Sequence, residues 1–280
     1  MQIFTKYRKI FYIISLLIII PGIISLSTKG LNLGIDFVGG SIIQVRIEST
    51  VEPAEVRNVL REFGMDKADV SKSGSEFLIR TSELDQEQTN KLMDSFESAF
   101  KNVEFLSAET VGASIGKELT RKAIIAVIVA ALAMLAYISI RFEWSFGVAA
   151  IVSVLHNILL VLGLYSIFQW EVTTAFIAAM LTIVGYSIND TIVIFDRIRE
   201  NLRMKHKENY INLVNRSILQ SLNRSINTVL TSAFALIALL AFGGGNIKYF
   251  VLAMLIGFIV GAYSSIFIAS PVWYDIKNRA

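Results

Sequence analysis

The chain has 280 residues, of which 54% are hydrophobic and only 18% are charged, so an ordinary water-soluble globule is excluded as a description. The absence of cysteine excludes disulfides and cysteine metal sites. The net charge of +3 does not indicate a nucleic-acid partner, because the basic residues are not interleaved with aromatic residues on a soluble module. We therefore interpret the chain as an integral membrane protein whose surroundings are the lipid bilayer.

Six apolar runs approach the roughly 20 residues that an α-helix needs to cross about 30 Å of hydrocarbon. They lie at residues 10–28, 122–140, 145–168, 172–195, 221–242 and 248–270. Basic residues precede the first run, as in a secretory signal, but the run is longer than a signal core and no small-residue cleavage site follows it. We expect an uncleaved anchor, and an α-helical membrane protein with six transmembrane helices.

The predicted organisation has four parts. Residues 1–28 hold the N-terminus and first span, residues 29–118 form an extramembrane domain, residues 119–270 form a five-helix bundle, and residues 271–280 form a tail. Within the bundle, the basic stretch 196–220 is predicted to be a polar loop.

The orientation follows from basic residues in the short connections, which all fall on one side of a six-span arrangement. They are Lys6, Arg8, Lys9, Arg141, Arg197, Arg199, Arg203, Lys205, Lys207, Lys277 and Arg279. The positive-inside rule makes that side cytoplasmic. We expect a multi-pass protein of the cytoplasmic (inner) membrane with both termini and the tail in the cytoplasm, and with residues 29–118 on the extracytoplasmic side.

The extramembrane segment alternates strand and helix patterns. Ile43, Val45 and Ile47 alternate with polar residues as in a half-buried strand, and a helix follows from near Glu52, with Pro53 in its first turn. The remaining candidates are strands near 69–72 and 77–81, a helix over 85–100 that buries Leu92, Met93 and Phe96, and a strand over 103–109. The order βαββαβ predicts an α+β ferredoxin-like domain. It carries no histidine, metal-ligand cluster or nucleophile beside a base, and we predict no metal or cofactor site.

A polar stripe in the fourth span carries the functional argument. Thr182, Gly185, Tyr186, Asn189 and Asp190 share one helix face within an otherwise apolar segment. A charge in hydrocarbon costs several kcal/mol on most scales and is usually retained for proton or ion handling. The sequence therefore predicts that Asp190 binds and releases protons, with Tyr186 and Asn189 as its hydrogen-bonding neighbours.

Two further polar residues allow two interpretations each. Arg224, in the fifth span, either pairs with Asp190 or extends its charge toward the membrane surface. His156, in the third span next to Asn157, either relays a proton or is a neutral histidine hydrogen-bonded between helices. In the sixth span, Gly257 and Gly261 form a GxxxG pattern that predicts close helix approach.

Three motifs resemble one family. LGIDFVGG follows the first span, VGYSINDTIVIFDRIRENLR lies in the fourth, and GFIVGAYSSIFIASP ends the sixth. They are similar to the signatures of the SecF family, the smaller membrane subunits of the SecDF protein-export accessory complex in the RND superfamily. The resemblance places Asp190 and Arg224 on the family's proton pathway. The chain differs from the family at Asn157, where the family often has aspartate, and at Ala262, where threonine is frequent.

The resemblance implies a proton-motive-force-dependent subunit that assists export of polypeptides, with a SecD-like membrane subunit, a SecYEG-type translocon and the exported polypeptide as partners. In this hypothesis, protonation of Asp190 shifts its pairing with Arg224. The fourth to sixth helices then move, and their movement is passed to the extramembrane domain. H⁺ or Na⁺ could be the driving ion. One alternative is a passive translocon scaffold. Another is an intramembrane aspartyl hydrolase, which would need a second carboxylate near Asp190, and we expect no enzyme activity.

Overall fold

The computed structural model describes residues 3–48, 50–141, 143–204, 209–244 and 247–279. The chain forms two compact units: Met1–Asn32 together with Ile125–Ala280, and Leu33–Ile124. Lys205 and Lys207, which contribute to the predicted orientation, lie outside the described residues.

The elements alternate between long helices and one short α+β stretch. In chain order they are α1 (Ile3–Lys6), α2 (Arg8–Thr28), β1 (Asn32–Leu33), α3 (Ile35–Val38), β2 (Gly40–Arg46), α4 (Pro53–Glu62), β3 (Asp69–Ser73), β4 (Glu76–Thr81), α5 (Gln86–Ala99), β5 (Glu104–Val111), α6 (Ala113–Arg141), α7 (Trp144–Phe168), β6 (Glu171–Val172), α8 (Thr174–Met204), α9 (Tyr210–Phe242), α10 (Lys248–Ser264), a π-helical segment (Ser265–Ala269) and α11 (Ser270–Arg279).

Six helices among the described residues are long and apolar enough to cross a membrane. They are α2, α6, α7, α8, α9 and the continuous helix Lys248–Asn278, which joins α10, the π-helical segment and α11. This confirms the six predicted spans. Most of the helices are longer than the apolar runs indicate. For example, α8 has 31 residues and α9 has 33.

The prediction of a loop over residues 196–220 is wrong. Helix α8 continues to Met204, and α9 already begins at Tyr210. Ile198, Leu213 and Ile218 in this stretch have no exposed surface, and they join the core cluster of the membrane unit. Charged residues between these positions lower the mean hydropathy, while the helical spacing of the apolar residues still drives the helices together.

The tail predicted over residues 271–280 is helical, because α11 covers Ser270–Arg279. Trp273 is completely buried and stacks on Phe146 with ring centroids 4.9 Å apart. The Nε of Arg8 donates a hydrogen bond of 2.7 Å to Asp275 Oδ1. The last helix is thus fastened both to the core and to the start of the first span.

Two glycines set the contact between α8 and α10. A methyl carbon at Gly257 would lie 2.3 Å from Ile183 Cδ1, and one at Gly261 would lie 3.3 Å from Ser187 Cβ. Distances this short allow no larger side chain at Gly257 without movement of its neighbour. The close approach predicted from the GxxxG pattern is therefore confirmed.

In the second unit, four antiparallel strands form a sheet in the order β3-β4-β2-β5. With α4 and α5 the chain order is βαββαβ, as predicted. Ile43, Val45 and Ile47 are at most 1% exposed, and they form the core together with Leu92 and Phe96 from α5. Of the three residues that α5 was expected to bury, Met93 is only partly buried.

The entry to the sheet contains a feature that periodicity did not predict, the short helix α3. Gly39 and Gly40 follow it with φ angles of 81° and 134°. Only glycine adopts such angles without strain. A methyl carbon at Gly40 would also lie 2.6 Å from Thr81 O. The glycine pair of the LGIDFVGG motif therefore forms the tight turn into β2.

Candidate functional site

Asp190 lies in α8 where that helix packs against α9. Ser225 Oγ, on α9, donates a hydrogen bond of 2.6 Å to Asp190 Oδ1. The second oxygen, Oδ2, is buried and accepts no hydrogen bond from any described residue. A carboxylate with one occupied oxygen and one free oxygen in a largely apolar setting has a position at which a proton can bind.

The sequence predicted Arg224 as the possible contact of Asp190, and the structure places the neighbouring Ser225 there. Arg224 is exposed, and no ion pair joins it to Asp190 among the residues that the structure describes. It acts on the carboxylate only as a more distant electrostatic neighbour. Serine was missed because it is an ordinary packing residue in membrane helices. The sequence feature that indicates Ser225 is the four-residue spacing of Ser217, Ser221 and Ser225, all of which are buried.

Tyr186 and Asn189, the other predicted neighbours of Asp190, have different surroundings. The Tyr186 ring stacks on Phe258 of α10, with centroids 4.0 Å apart and an interplanar angle of 11°. Its hydroxyl is buried and forms no hydrogen bond within the described ranges. Asn189 is exposed. Tyr186 therefore packs the Asp190 helix against α10, while Asn189 faces away from the bundle.

A π-helical segment lies beside the site, and the sequence gave no indication of it. Ser270 Oγ donates to Ser265 O across five residues, and Ser265 Oγ lies 2.8 Å from Thr191 Oγ1 on α8. The side-chain hydroxyl of Ser265 is also a polar neighbour of the Asp190 carboxyl group. Segments of π-helix occur frequently at functional sites. The helix irregularity thus lies next to the carboxylate.

His156 belongs to a separate set of contacts. Its Nε2 lies 2.9 Å from Ser15 Oγ of α2, and its Nδ1 lies 3.0 Å from Asn157 Oδ1. In the parts of the chain that the structure describes, no hydrogen bond joins His156 to Asp190. The structure therefore does not bring these two predicted site residues together.

Helices α8 and α9 also present a polar face outward. Its residues, which we call the outer polar face, are all exposed: Thr182, Gly185 and Asn189 on α8, and Arg224, Asn227, Thr228 and Thr231 on α9. The threonines satisfy their hydroxyls on their own helices. Arginine and asparagine side chains do not satisfy their polar groups on their own helix in this way, and they are unfavourable in contact with lipid. This face is unsuited to hydrocarbon.

Comparison with known proteins identifies the family. The C-terminal region of the protein export membrane proteins SecD and SecF matches residues 91–279, and the SecD/SecF GG motif matches residues 24–51. The chain belongs to the SecF family. Protein translocase subunit SecF of Sebaldella termitidis is 39% identical over 280 residues, covering 98% of this chain and 91% of the relative. The SecF subunit of Thermobaculum terrenum is 40% identical, with 98% and 93% covered.

A solved SecF-containing structure has the same fold. The crystal structure of SecDF from Thermus thermophilus, a translocon-associated membrane protein, superimposes with a TM-score of 0.92 at 41% sequence identity. The match covers 99% of this chain and 38% of the SecDF chain. SecDF of Bacillus subtilis is 40% identical, and again 38% of its length is covered. The SecF-family chain therefore corresponds to a little over one third of each SecDF protein.

Proposed function

We propose that this SecF-family chain is a proton-motive-force-dependent subunit of the Sec protein translocation machinery, which assists export of polypeptides together with a SecD-like partner. Family membership supports a role in Sec-dependent export, because the relatives are named protein translocase subunits. The observation that carries the dependence on protons is Asp190, an intramembrane carboxylate with one oxygen bonded to Ser225 and the other oxygen free.

The outer polar face supports a membrane partner. Arg224 and Asn227 are exposed at the level of the spanning helices, where contact with lipid is unfavourable. Transporters commonly place ion sites between related helix bundles. In the proposal, a SecD-like bundle covers this face and encloses Asp190, Asn189 and Arg224 in the proton pathway. This agrees with SecDF chains in which the SecF-like region is only 38% of the length.

The proposed orientation places both termini in the cytoplasm and the unit Leu33–Ile124 outside as a ferredoxin-like domain. Proton binding at Asp190 would remove its charge and change its interaction with Ser225 and, at longer range, with Arg224. The resulting movement of the helices would act through the outer domain on an exported polypeptide at a SecYEG-type translocon. Tyr186 would move with α8, and His156 contributes through helix contacts.

The test is Asp190→Asn, measured as translocation of a secretory protein into membrane vesicles with and without a proton gradient. Asparagine keeps the shape and can still accept from Ser225, but it cannot bind and release a proton. We expect the gradient-dependent part of translocation to be lost while the variant assembles normally. Asp196→Asn is the matched control, because that carboxylate lies on the same helix, half exposed, 3.7 Å from Arg141.

The outcome also separates the proposal from a passive scaffold. A scaffold in which Asp190 only fastens helices predicts normal gradient-dependent export in Asp190→Asn, and that result would refute the proposed role. A hydrolase would need a second carboxylate in contact with Asp190. No described residue supplies one through a hydrogen bond or ion pair.

A further inference from the structure

A set of polar side chains, four of them buried, crosses the membrane unit away from Asp190. We call Ser15, His156, Asn157, Ser187 and Tyr263 the histidine cluster. His156 is 6% exposed and Asn157 has no exposed surface. The residues come from α2, α7, α8 and α10. The cluster therefore joins four helices through side-chain hydrogen bonds.

The hydrogen positions follow from Asn157. Its Nδ2 donates to Ser187 Oγ at 2.6 Å, so its carbonyl oxygen faces His156 Nδ1 at 3.0 Å. A carbonyl oxygen only accepts, so Nδ1 of the imidazole carries a hydrogen. In the neutral ring Nε2 is then an acceptor. Ser15 Oγ, 2.9 Å away, donates its one hydrogen to Nε2 and accepts from the hydroxyl of Tyr263 at 3.2 Å. The cluster fits the neutral Nδ1–H tautomer.

The surroundings do not favour a charged imidazole. The titratable group that faces His156 is Tyr263 of α10, whose ring centroid lies 6.0 Å from that of His156. Its hydroxyl shares its hydrogen between Phe11 O at 3.0 Å and Ser15 Oγ at 3.2 Å. The neighbours from α2 and α8 are serines, and no described carboxylate contacts His156. An uncompensated buried cation would cost several kcal/mol.

We propose that Asn157 is a positioning residue that fixes the buried, neutral His156 ring with its hydrogen on Nδ1 and fastens the proton-binding helix to its neighbours, an inference that rests on the proposed function. Ser187, its contact on α8, lies three residues before Asp190 and packs against Gly261 on its other side. An amide cannot pass on a proton as a carboxylate can. Asn157 therefore connects α8 to α7 and α2 mechanically, while the proton route to Asp190 does not include His156.

The decisive measurement is ¹⁵N NMR of histidine-labelled full-length protein in lipid bilayers. The sequence has two histidines, and His206→Asn leaves His156 as the single signal. We expect the neutral Nδ1–H pattern throughout the range of about pH 5 to 8 in which histidine ordinarily titrates. An imidazolium pattern within that range would overturn the proposal. This readout is independent of export.

Asn157→Asp supplies the missing negative charge, and we expect it to produce imidazolium in the same pH range. A neutral ring in that variant would contradict the inference that His156 is neutral because no negative charge lies beside Nδ1. Ser153→Ala is the matched control: it removes another buried hydrogen bond of α7, from Ser153 to Ser264, and should leave the tautomer unchanged.

Export assays separate positioning from proton transfer. His156→Gln keeps a donor and an acceptor, and we expect gradient-dependent export within about threefold of the parent, the size of one interhelical hydrogen bond in a membrane. His156→Leu should reduce export more strongly. If His156→Gln abolished it as fully as Asp190→Asn, the positioning role would be refuted. Retained export in Asp190→Asn would instead refute the proposed function and leave the NMR result standing.

Discussion

At the scale of single residues, the carboxylate of Asp190 and the hydroxyl of Ser225 form the contact on which the proposed chemistry depends. Their distance of 2.6 Å lies at the short end of the range for a hydroxyl donor. Protonation of the carboxyl group weakens this bond, because a neutral oxygen is a poorer acceptor. In the proposed function, Ser225 is therefore the residue through which α9 responds to the charge on α8.

Ser225→Ala should lower gradient-dependent export without abolishing it. Hydrogen bonds to charged groups are worth about 1.5–3 kcal/mol, so their loss changes the ease with which Asp190 ionises. The measurement is translocation into vesicles at several proton gradients. Ser221→Ala is the control, because that hydroxyl donates to Ser217 O on its own helix. Equal losses in the two variants would mean that Ser225 only fills space.

The sequence predicted the acid but not its contact, for a physical reason. A carboxylate in an apolar span is rare because it is costly, so Asp190 is conspicuous from composition alone. A serine in a membrane helix can face lipid, lie in the core or belong to a functional site, and only the packing of the helices shows which of these is the case. Arg224 attracted attention by its charge, yet the rotation of about 100° between successive helical residues directs Arg224 outward and Ser225 inward.

At the scale of elements, the contact between α8 and α10 depends on Gly257. The side chain of Ile183 occupies the space where a methyl group would lie, at 2.3 Å. Tyr186 and Phe258 stack next to this contact, and Ser187 packs on Gly261. The position of Asp190 relative to α10 is therefore set by residues that carry no charge.

Gly257→Ala should destabilise the membrane unit by about 1–3 kcal/mol, the usual effect of overpacking. The measurement is thermal unfolding of the full-length protein in detergent. Adding Ile183→Ala removes the clashing atoms and should restore most of the lost stability. Gly185→Ala is the control, since no atom lies within 4 Å of a methyl carbon there. An additive double variant would contradict the direct contact.

Element boundaries were predictable only where one periodicity dominated. The strands and helices of the unit Leu33–Ile124 were identified because alternation and helical spacing are clear there. The stretch 196–220 was misassigned because its charges obscure buried Ile198, Leu213 and Ile218. The short helix α3 and the π-helical segment have no sequence periodicity of their own, and their formation depends on tertiary packing.

At the scale of the whole molecule, the outer polar face indicates that the chain works beside another membrane protein. Helix α9 carries exposed polar residues on one side, including Asn227 and Thr228, and exposed apolar residues such as Ile226 and Leu230 on the other. The apolar side suits lipid, and the polar side suits a second bundle.

Thr228→Trp should block association with a SecD-like subunit, because a large ring on the outer polar face prevents close helix approach. Ile226→Trp, on a different side of the same helix, should associate normally. The measurement is co-purification of the two subunits from membranes in mild detergent. Equal recovery of the partner with both variants would place its interface elsewhere.

The length of α8 has a mechanical consequence. Its 31 residues span about 46 Å, compared with about 30 Å of hydrocarbon, so a substantial part of the rod projects beyond the lipid. Met204, fourteen residues after Asp190, lies about 21 Å farther along the axis, and a pivot of about 10° at the acid would sweep that tip through about 4 Å. In the proposed function, protonation of one carboxyl group would thus be converted into a displacement of about 4 Å at the end of α8.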